Sequence, residues 1–469
     1  MLFNSAEFFI LLTITFLLYY LPILRHFQYL MLIGASFIFY SWNNPILGLL
    51  LLASVLVNSY GSFILSKPNQ KNKRLINGIS ISLNLGLLIC FKYLGLLSNI
   101  FFGFKVPEDY NWLLTIPLPI GISFYTFQGI SLLIDTKKKI FLFEENISFL
   151  SCLVKVSTYI TFFPQLIAGP IIKPAYFINQ MKYKYFKKIR LKMAIRYLIL
   201  GYFLKSVIGD NSAVLSNTYM VDPIYTYLNS ISNLIFLFSY SIRIFADFAG
   251  YSFIAIGLAI LFGYRLKDNF NRPYNSESVT EFWRRWHITL YAWFNEYLYM
   301  PFVIYFRHWG TLAILLGLFI TFTLAGIWHG DSINCLLYGA YFGLILCAEF
   351  YLKKWKKKLK IKTNKLINVL CVFGIWNFGL TLFYFENYKD FSGFIISIFN
   401  NWNVYYFNNY MEVYALMLAV PVILYHSYEF LPFRIKKRVV LNTGIIYGVM
   451  LYLIIFDYGP QESFIYFKF

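Results

Sequence analysis

Apolar runs long enough to cross a lipid bilayer recur from one end of this chain to the other, and they limit its fold more than any other feature. A membrane-spanning helix needs about 20 mainly apolar residues, and in lipid the backbone must satisfy its own hydrogen bonds. The runs therefore predict an all-α, polytopic membrane protein with about 11–13 membrane segments. They cover residues 8–24, 29–42, 46–65, 76–102, 112–135, 147–169, 192–209, 228–264, 311–328, 332–351, 366–385, 410–428 and 439–457.

The composition agrees with this prediction and excludes other classes of protein. Of the 469 residues, 59% are hydrophobic and only 13% are charged, whereas about one quarter of a soluble domain is charged. That balance excludes a soluble globular enzyme, and a chain this apolar cannot remain disordered in water. The five cysteines form no CxxC pair and the sequence has no clustered set of His and Cys, so neither a disulfide framework nor a bound metal is expected.

The distribution of positive charge along the chain indicates which loops face the cytoplasm. Lys and Arg number 41 against 21 Asp and Glu, a net charge of +20, but the excess lies in short clusters between apolar runs. Such clusters mark the cytoplasmic side of a membrane and do not indicate nucleic-acid binding. The clusters lie at residues 67–74, 137–139, 182–192, 353–362 and 434–438.

The order of runs and clusters predicts the topology and the domain organisation. One apolar run follows the last cluster, so residues 457–469 are expected outside the cytoplasm. The clusters at 137–139 and 182–192 flank a single run, which requires at least one re-entrant or interfacial element. We expect one membrane-embedded domain over residues 1–457, whose first run is a retained span rather than a signal peptide, followed by an aromatic tail over residues 458–469.

His329 is the strongest of the five histidines as a functional candidate, because an ionisable group inside a membrane is costly. It lies within the apolar stretch 311–350, between Gly326 and Gly330, whose spacing also suits close packing against another helix. Two interpretations stay open from these residues. His329 either hydrogen-bonds across a packing seam, or acts as a general base that takes a proton from a hydroxyl while an acyl group is transferred.

His287 follows a segment rich in tryptophan and arginine, residues 282–286. Such a segment prefers the membrane interface, where indole rings lie at headgroup depth and guanidinium groups reach water or phosphate. A helix here would place Trp283 and His287 one turn apart. The segment is either an interfacial anchor or the floor beside an anionic cofactor, for which Trp283, Arg284 and Arg285 are candidate contacts.

Two pairs of opposite charges are spaced four residues apart, as neighbours on one helix face would be. Glu281 and Arg285 form one pair, and Arg243 and Asp247 form the other inside the run 228–264. Buried charges are usually compensated, so we expect the second pair to be structural.

The last residues, Phe464 to Phe469, are mainly aromatic. Such a segment adsorbs to the membrane interface, so a frayed terminus is one interpretation. The ten residues from Phe456 to Tyr466 extend up to ~33 Å, and the hydrocarbon half-thickness is only ~15 Å, so Tyr466 can return to the depth of His329. A phenol is a poor nucleophile until a base removes its proton, and His329 is a candidate for that base.

Six motifs are distributed along the chain: MLFNS at 1–5, PIGISFYTFQ at 119–128, FPQLIAGP at 163–170, DFAGYS at 247–252, NFNRPY at 269–274 and EFWRRWH at 281–287. Together they resemble the membrane-bound O-acyltransferase (MBOAT) family, in the bacterial branch that acylates cell-envelope polysaccharides. The resemblance implies tilted helices around a thin protein floor, with re-entrant elements and a central funnel or tunnel.

The resemblance also implies roles for individual residues. The family's two characteristic histidines fall on His287 and His329, of which His329 is the catalytic one. The ending 464–469 resembles an aromatic motif found with this branch, whose tyrosine carries the acyl group in transit, and that tyrosine corresponds to Tyr466. Arg284 and Arg285 would then contact the phosphates of the donor.

The donor implied by the resemblance is acetyl-CoA, with no tightly bound cofactor and no metal. Its charged phosphates cannot cross a membrane, whereas an acetyl group is small and neutral. His329 would deprotonate Tyr466, which would attack the thioester. A periplasmic partner with a serine nucleophile would then move the acetyl group to a polysaccharide outside the bacterial inner membrane.

Departures from the alginate-type pattern bear on the acceptor. Phe253 stands where an acidic residue commonly follows the Gly-Tyr-Ser, and residues 300–303 lack the usual glycine pair. In its overall make-up the sequence resembles peptidoglycan O-acetyltransferases more closely. Two alternatives stay open: transfer of D-alanine or another acyl group within the same family, and a polysaccharide or lipid exporter, which would also need many spans and a water-filled cavity.

Overall fold

The computed structural model describes residues 1–68, 70–102, 119–360, 363–403, 409–441, 443–462 and 464. Over these residues it contains helices and no β-strand, which confirms the predicted all-α class. The α-helices are α1 (Ala6–Tyr20), α2 (Gln28–Ser41), α3 (Pro45–Ser66), α4 (Lys73–Phe102), α5 (Ile122–Lys137), α6 (Phe149–Thr161), α7 (Phe163–Leu166), α8 (Pro174–Ile178), α9 (Leu191–Tyr202), α10 (Asp210–Tyr219), α11 (Ile224–Tyr227), α12 (Ser230–Leu261), α13 (Val279–Arg285), α14 (Ile288–Phe294), α15 (Met300–Tyr305), α16 (Thr311–His329), α17 (Ile333–Leu359), α18 (Lys365–Tyr384), α19 (Tyr388–Asn400), α20 (Asn409–Ser427), α21 (Phe433–Leu441) and α22 (Thr443–Phe456).

Two π-helices and six 3₁₀ helices complete the described elements. The π-helices are Phe203–Gly209 and Asn295–Tyr299. The 3₁₀ helices are Pro22–Phe27, Phe186–Lys188, Pro273–Asn275, Arg307–Trp309, Asn401–Asn403 and Tyr428–Phe430.

Eight helical stretches among the described residues are long and apolar enough to cross a membrane. Three further apolar helices, α1, α6 and α22, are shorter. The chain is therefore a multi-pass membrane protein. The eight stretches are Pro22–Ser41, Pro45–Ser66, Lys73–Tyr93, Ser230–Leu261, Thr311–His329, Ile333–Leu359, Lys365–Tyr384 and Tyr410–Phe430.

Contacts between residues divide the chain into two units, and each is described by itself. Unit 1 comprises Met1–Leu198 and Ile254–Lys267. Unit 2 comprises Ile199–Phe253 and Asp268–Phe469. The expected single domain over residues 1–457 stays a prediction.

Unit 1 contains short, interrupted helices between the basic clusters at 137–139 and 182–192. Helix α6 is followed by the one-turn helices α7 and α8, and the irregular backbone between them is buried. Tyr159 donates from its hydroxyl to the Ile172 carbonyl at 2.6 Å, which satisfies part of that backbone. Irregular backbone within a membrane is tolerated only where protein or water satisfies it, and a re-entrant or interfacial position for this segment stays a prediction.

Unit 2 contains a tight hairpin of α16 and α17, joined by residues 330–332. The two helices approach so closely that a Cβ atom on Gly326 would overlap the Cys335 carbonyl, and one on Gly339 would overlap the Phe322 carbonyl. Lipid provides no hydrophobic force between helices, so their association depends on close packing, which small residues permit. Gly326 therefore lies in a packing seam whose other side is Gly339 of α17, whereas Gly330, paired with Gly326 by spacing, lies beyond the end of α16.

Gly339→Ala should weaken this hairpin. The added methyl would meet backbone of α16, which cannot move aside as a flexible side chain can, so we expect a loss of about 1–3 kcal/mol in the free energy of unfolding. The matched control is Gly374→Ala in α18, where a Cβ would meet nothing within 4 Å. Thermal unfolding in detergent, followed by tryptophan fluorescence, checks this. Equal midpoints for the two variants would contradict the packing argument.

Candidate active site

A cavity of about 460 Å³ in unit 2 has both candidate histidines in its wall. It is enclosed by residues of α13 and α14, by the following π-helix, and by the α16–α17 hairpin. Its volume falls within the usual range of small-molecule sites, about 300–1,000 Å³. Of the residues predicted from the sequence, it brings together His287, His329, Trp283 and Arg284.

The cavity is long, and its two ends differ chemically. Its wall follows α17 from Gly339 to Lys353, a helical rise of about 21 Å. Arg284 and Lys353 supply positive charge to the wall, while His329 ends α16 at the hairpin turn and Lys353 lies toward the far end of α17. The stretch between is mainly apolar, with Leu290, Phe294, Leu318, Leu346 and Phe350.

His329 is the last residue of α16, where the chain turns into the hairpin connection. Its side chain is 6% exposed. Three aromatic rings meet its imidazole edge-on: Trp328 at 4.8 Å, Phe383 at 5.2 Å and Tyr338 at 5.9 Å. These rings restrict how the imidazole can turn, so its orientation toward the cavity is set by packing.

His287 is positioned by a break in the helix rather than by a helix. Helix α13 ends at Arg285, and His287 has a left-handed backbone with φ of 42°. The predicted one-turn spacing of Trp283 and His287 is therefore wrong. The cause lies in segment 269–271, because the Asn271 amide donates to the Arg285 carbonyl and the Ile288 amide donates to the Asn269 carbonyl, each at 2.9 Å.

The His287 imidazole is buried and neutral. Its side chain is 2% exposed, and Phe248 meets it edge-on at 4.6 Å. Burial lowers the pKa of His287 to about 3, because the charged form would lose its hydration. The ring can therefore act as a hydrogen-bonding group near pH 7 without carrying charge.

The two neighbouring arginines of α13 have different environments. Arg284 lies in the wall of the cavity, whereas Arg285 does not. Arg285 forms ion pairs with Glu281 at 2.8 Å and with Glu429 at 3.2 Å, so the predicted Glu281–Arg285 pair is confirmed. The guanidinium of Arg285 is thus held by carboxylates away from the cavity, and its contact with a donor stays a prediction.

Glu349 is a residue that the sequence analysis missed. Its carboxylate accepts hydrogen bonds from the Val279 amide at 2.6 Å, the Thr280 amide at 3.2 Å and the Thr280 hydroxyl at 2.7 Å, and it pairs with Lys353. It thereby caps α13 and ties that helix to α17. The sequence did contain one indication of its importance, because Glu349 is the one acidic residue in the sequence of α17.

The predicted pairing of Arg243 with Asp247 is replaced by other partners. Asp247 pairs with Lys205 at 2.7 Å, and Arg243 donates to Ser216 at 2.5 Å and to Asn217 at 2.9 Å. Charge compensation was correctly expected, but a spacing rule within one helix cannot find a partner from another helix.

Two further expectations concern Tyr466 and metals. Tyr466 lies outside the described residues, so its role stays a prediction. Among the residues that the structure describes, no group of three or more His, Cys, Asp or Glu is placed to hold a metal ion.

Comparison with known proteins adds a family match over this region. The family model described as "MBOAT, membrane-bound O-acyltransferase family" matches residues 145–386, which include the whole cavity wall. A protein of Pseudomonas aeruginosa named "Probable alginate O-acetylase" is 34% identical over 362 residues, which cover 74% of this chain and 66% of that protein.

Two other relatives are named for different activities. The peptidoglycan O-acetyltransferase of Helicobacter pylori is 31% identical, with 78% of this chain and 72% of that protein covered. The teichoic acid D-alanyltransferase of Bacillus subtilis is 30% identical, with 58% of this chain and 69% of that protein covered. The matches thus span about two thirds of the length of these curated relatives.

Glu349→Ala should loosen the segment that forms one wall of the cavity. It removes the acceptor of the Val279 and Thr280 amides, and unsatisfied buried donors cost about 1–3 kcal/mol. We expect faster amide hydrogen exchange in residues 279–287 and a lower midpoint of thermal unfolding. Glu386→Ala, at an exposed position, is the control. Wild-type exchange rates in Glu349→Ala would show that the carboxylate does not hold α13.

Proposed function

The chain belongs to the membrane-bound O-acyltransferase family of enzymes, and we propose that it transfers an acetyl group from cytoplasmic acetyl-CoA to the outer face of the bacterial inner membrane. The acetyl group then serves O-acetylation of a cell-envelope polysaccharide, with peptidoglycan as the leading candidate. One observation carries the proposal: an elongated cavity has the cations Arg284 and Lys353 in its wall together with an aromatic-packed histidine, His329, at the turn of the α16–α17 hairpin.

The cavity suits a donor with a charged head and a long, thin arm. Guanidinium and ammonium groups bind phosphate, so Arg284 and Lys353 are the proposed contacts to the phosphates of coenzyme A. The mainly apolar wall between them and His329 suits an extended pantetheine arm. The charged head stays at the side marked by the basic cluster 353–362, which the topology prediction places in the cytoplasm.

The proposed chemistry is a base-assisted acyl transfer. Neutral His329 takes the proton from the Tyr466 hydroxyl, and the phenolate attacks the carbonyl carbon of the thioester. The carbon–sulfur bond breaks, coenzyme A leaves as the thiolate, and the imidazolium returns the proton to that sulfur. The product is an acetyl-tyrosine, and the phosphates never cross the membrane.

His287 has a supporting place in this proposal. Its neutral imidazole lies in the wall of the cavity, where it can hydrogen-bond to an amide or carbonyl of the donor arm without adding charge. Trp283 lies in the same wall and offers an apolar face to the arm. Both residues would bind and orient the donor, and His329 would act on the reacting atoms.

The second half of the reaction needs a partner outside the membrane. A periplasmic protein with a serine nucleophile would take the acetyl group from Tyr466 and place it on a glycan hydroxyl. The Helicobacter pylori relative named peptidoglycan O-acetyltransferase supports peptidoglycan as the acceptor, as do the departures at Phe253 and residues 300–303.

Transfer of D-alanine is the alternative within the family, and the Bacillus subtilis relative favours it. The donor separates the two functions, since purified protein should accept acetyl-CoA directly if the acetyl proposal is correct. The exporter considered from the sequence would move substrate without any acyl donor, and the family match weighs against it.

His329→Ala should strongly slow acetyl transfer, because it removes the proposed base for the phenol proton. We expect a loss of at least about 100-fold in the rate, in line with the usual contribution of a general base. His308→Ala, an exposed histidine on a 3₁₀ turn, is the control. The measurement is release of labelled acetate or transfer of label from acetyl-CoA by purified protein. A near-normal rate in His329→Ala, with a normal elution profile, would remove His329 from the mechanism.

Tyr466→Phe should prevent covalent capture of the acetyl group, because it keeps the ring and deletes only the nucleophilic oxygen. Mass analysis of intact protein after incubation with labelled acetyl-CoA should find one added acetyl group in the wild type and none in the variant. The exposed Tyr458→Phe serves as the matched control. Wild-type labelling of Tyr466→Phe would exclude this tyrosine as carrier, and label only from a carrier-bound D-alanine would favour the alternative donor.

A further inference from the structure

The described part of the aromatic tail is seated in unit 2 by contacts that the proposed mechanism does not use. We propose that a buried ion cluster, formed by Lys205, Asp210 and Asp247, is a docking site for this tail and fixes the position from which Tyr466 works. The inference rests on the proposed function, and it adds positioning residues to it.

The cluster is deeply buried and its geometry is complete only with the tail present. The Lys205 ammonium lies 2.5 Å from an Asp210 carboxylate oxygen and 2.7 Å from an Asp247 carboxylate oxygen, and these side chains are 7%, 1% and 5% exposed. Its third contact is the backbone carbonyl of Glu462 in the tail, at 3.1 Å.

An ammonium has three protons to donate. The Lys205 ammonium donates hydrogen bonds to an Asp210 carboxylate oxygen and to the tail carbonyl of Glu462, and it forms an ion pair with Asp247. Without the tail, one donor of a buried cation would lose its partner, which is costly in a low-dielectric site. The cluster therefore favours the docked tail over a released one.

Two hydrogen bonds hold the tail backbone at residues 457 and 459, a few residues before Glu462 in the sequence, and we call them the backbone clamp. The Gly459 amide donates to the Ser206 carbonyl at 2.8 Å, and the Asn211 side-chain amide donates to the Asp457 carbonyl at 3.3 Å. Ser206 belongs to the π-helix Phe203–Gly209, a form that often marks functional sites. Gly459 lies so close to α10 that a Cβ on it would be 2.7 Å from the backbone nitrogen of Asn211, so only glycine fits here.

The tail then inserts an aromatic ring next to the candidate site. Phe464 is 1% exposed and stacks on Tyr251 with ring centres 4.6 Å apart. It also contacts Phe248 at 5.6 Å, and Phe248 meets His287 edge-on. Tyr466 follows Phe464 by two residues, an extended length of at most ~7 Å. Anchoring Phe464 therefore limits the space that Tyr466 can search.

Gly459→Ala tests the clamp in the full-length chain, because the added methyl would meet the backbone of Asp210 and Asn211 and should displace the tail, while every charged side chain is kept. The matched control is Gly448→Ala in α22, where a Cβ meets nothing within 4 Å. Hydrogen exchange of residues 457–464 reports docking, and single-turnover acetylation of Tyr466 reports transfer. We expect at least tenfold faster exchange and tenfold slower acetylation in Gly459→Ala, an unchanged KM for acetyl-CoA, and wild-type values in the control.

The double variant Lys205→Met with Asp210→Asn tests the ion cluster itself. It removes one charge of each sign, so the net charge of the cluster is kept. The Glu462 carbonyl of the tail loses the ammonium that donates to it. Amide hydrogen exchange in residues 457–464 should again become faster, and the rate of Tyr466 acetylation should fall. If the double variant does not fold, Phe464→Ala provides the same test. Its control is Phe456→Ala, because the Phe456 side chain is 70% exposed.

The outcomes separate docking from the proposed function. If the tail of these variants exchanges its amide hydrogens at the wild-type rate, the proposed docking site is wrong. A released tail with wild-type acetylation of Tyr466 would overturn its positioning role and leave the transferase proposal intact. A wild-type chain with a protected tail that accepts no acetyl group from acetyl-CoA would refute the proposed function and leave the docking site standing.

Discussion

The close contact of α16 with α17 is the interaction on which the candidate site depends. Two helices in lipid gain nothing from hydrophobic association, so they must gain from packing, and Gly326 and Gly339 allow their backbones to touch. This seam places His329 at the turn of the hairpin, at the end of α16, and leaves Lys353 several helical turns away from that turn along α17. The cavity wall includes residues of the hairpin from one of these positions to the other.

The opposite wall is a broken helix held by partners distant in sequence. Glu349 holds the start of α13, and segment 269–271 binds the backbone on both sides of His287. A left-handed residue that is not glycine is normally unfavourable, so the surrounding hydrogen bonds must impose it. The hairpin fixes one side of the cavity, and these hydrogen bonds fix the other.

Much of the fold was predictable because membranes leave few choices. The apolar runs predicted the helical class and most of the spans, and Gly326 predicted a packing seam, although its expected companion Gly330 lies beyond the end of α16. The sequence did not reveal the break before His287, since the hydrogen bonds that cause it come from residues 269–271. It also missed Glu349 and misassigned the partner of Asp247, because spacing along one helix says nothing about groups that other helices bring near. The pairing of Glu281 with Arg285 was predictable, since both lie on one helix.

The account centres on a donor arm that reaches His329 through the cavity of unit 2. The most direct test is an experimental structure with an acetyl-CoA analogue in which a ketone replaces the thioester. The account predicts phosphate density at Arg284 and Lys353 and the carbonyl of the analogue in contact with the His329 imidazole. An analogue bound in the reverse direction, or at a site from which His329 is excluded, would contradict it.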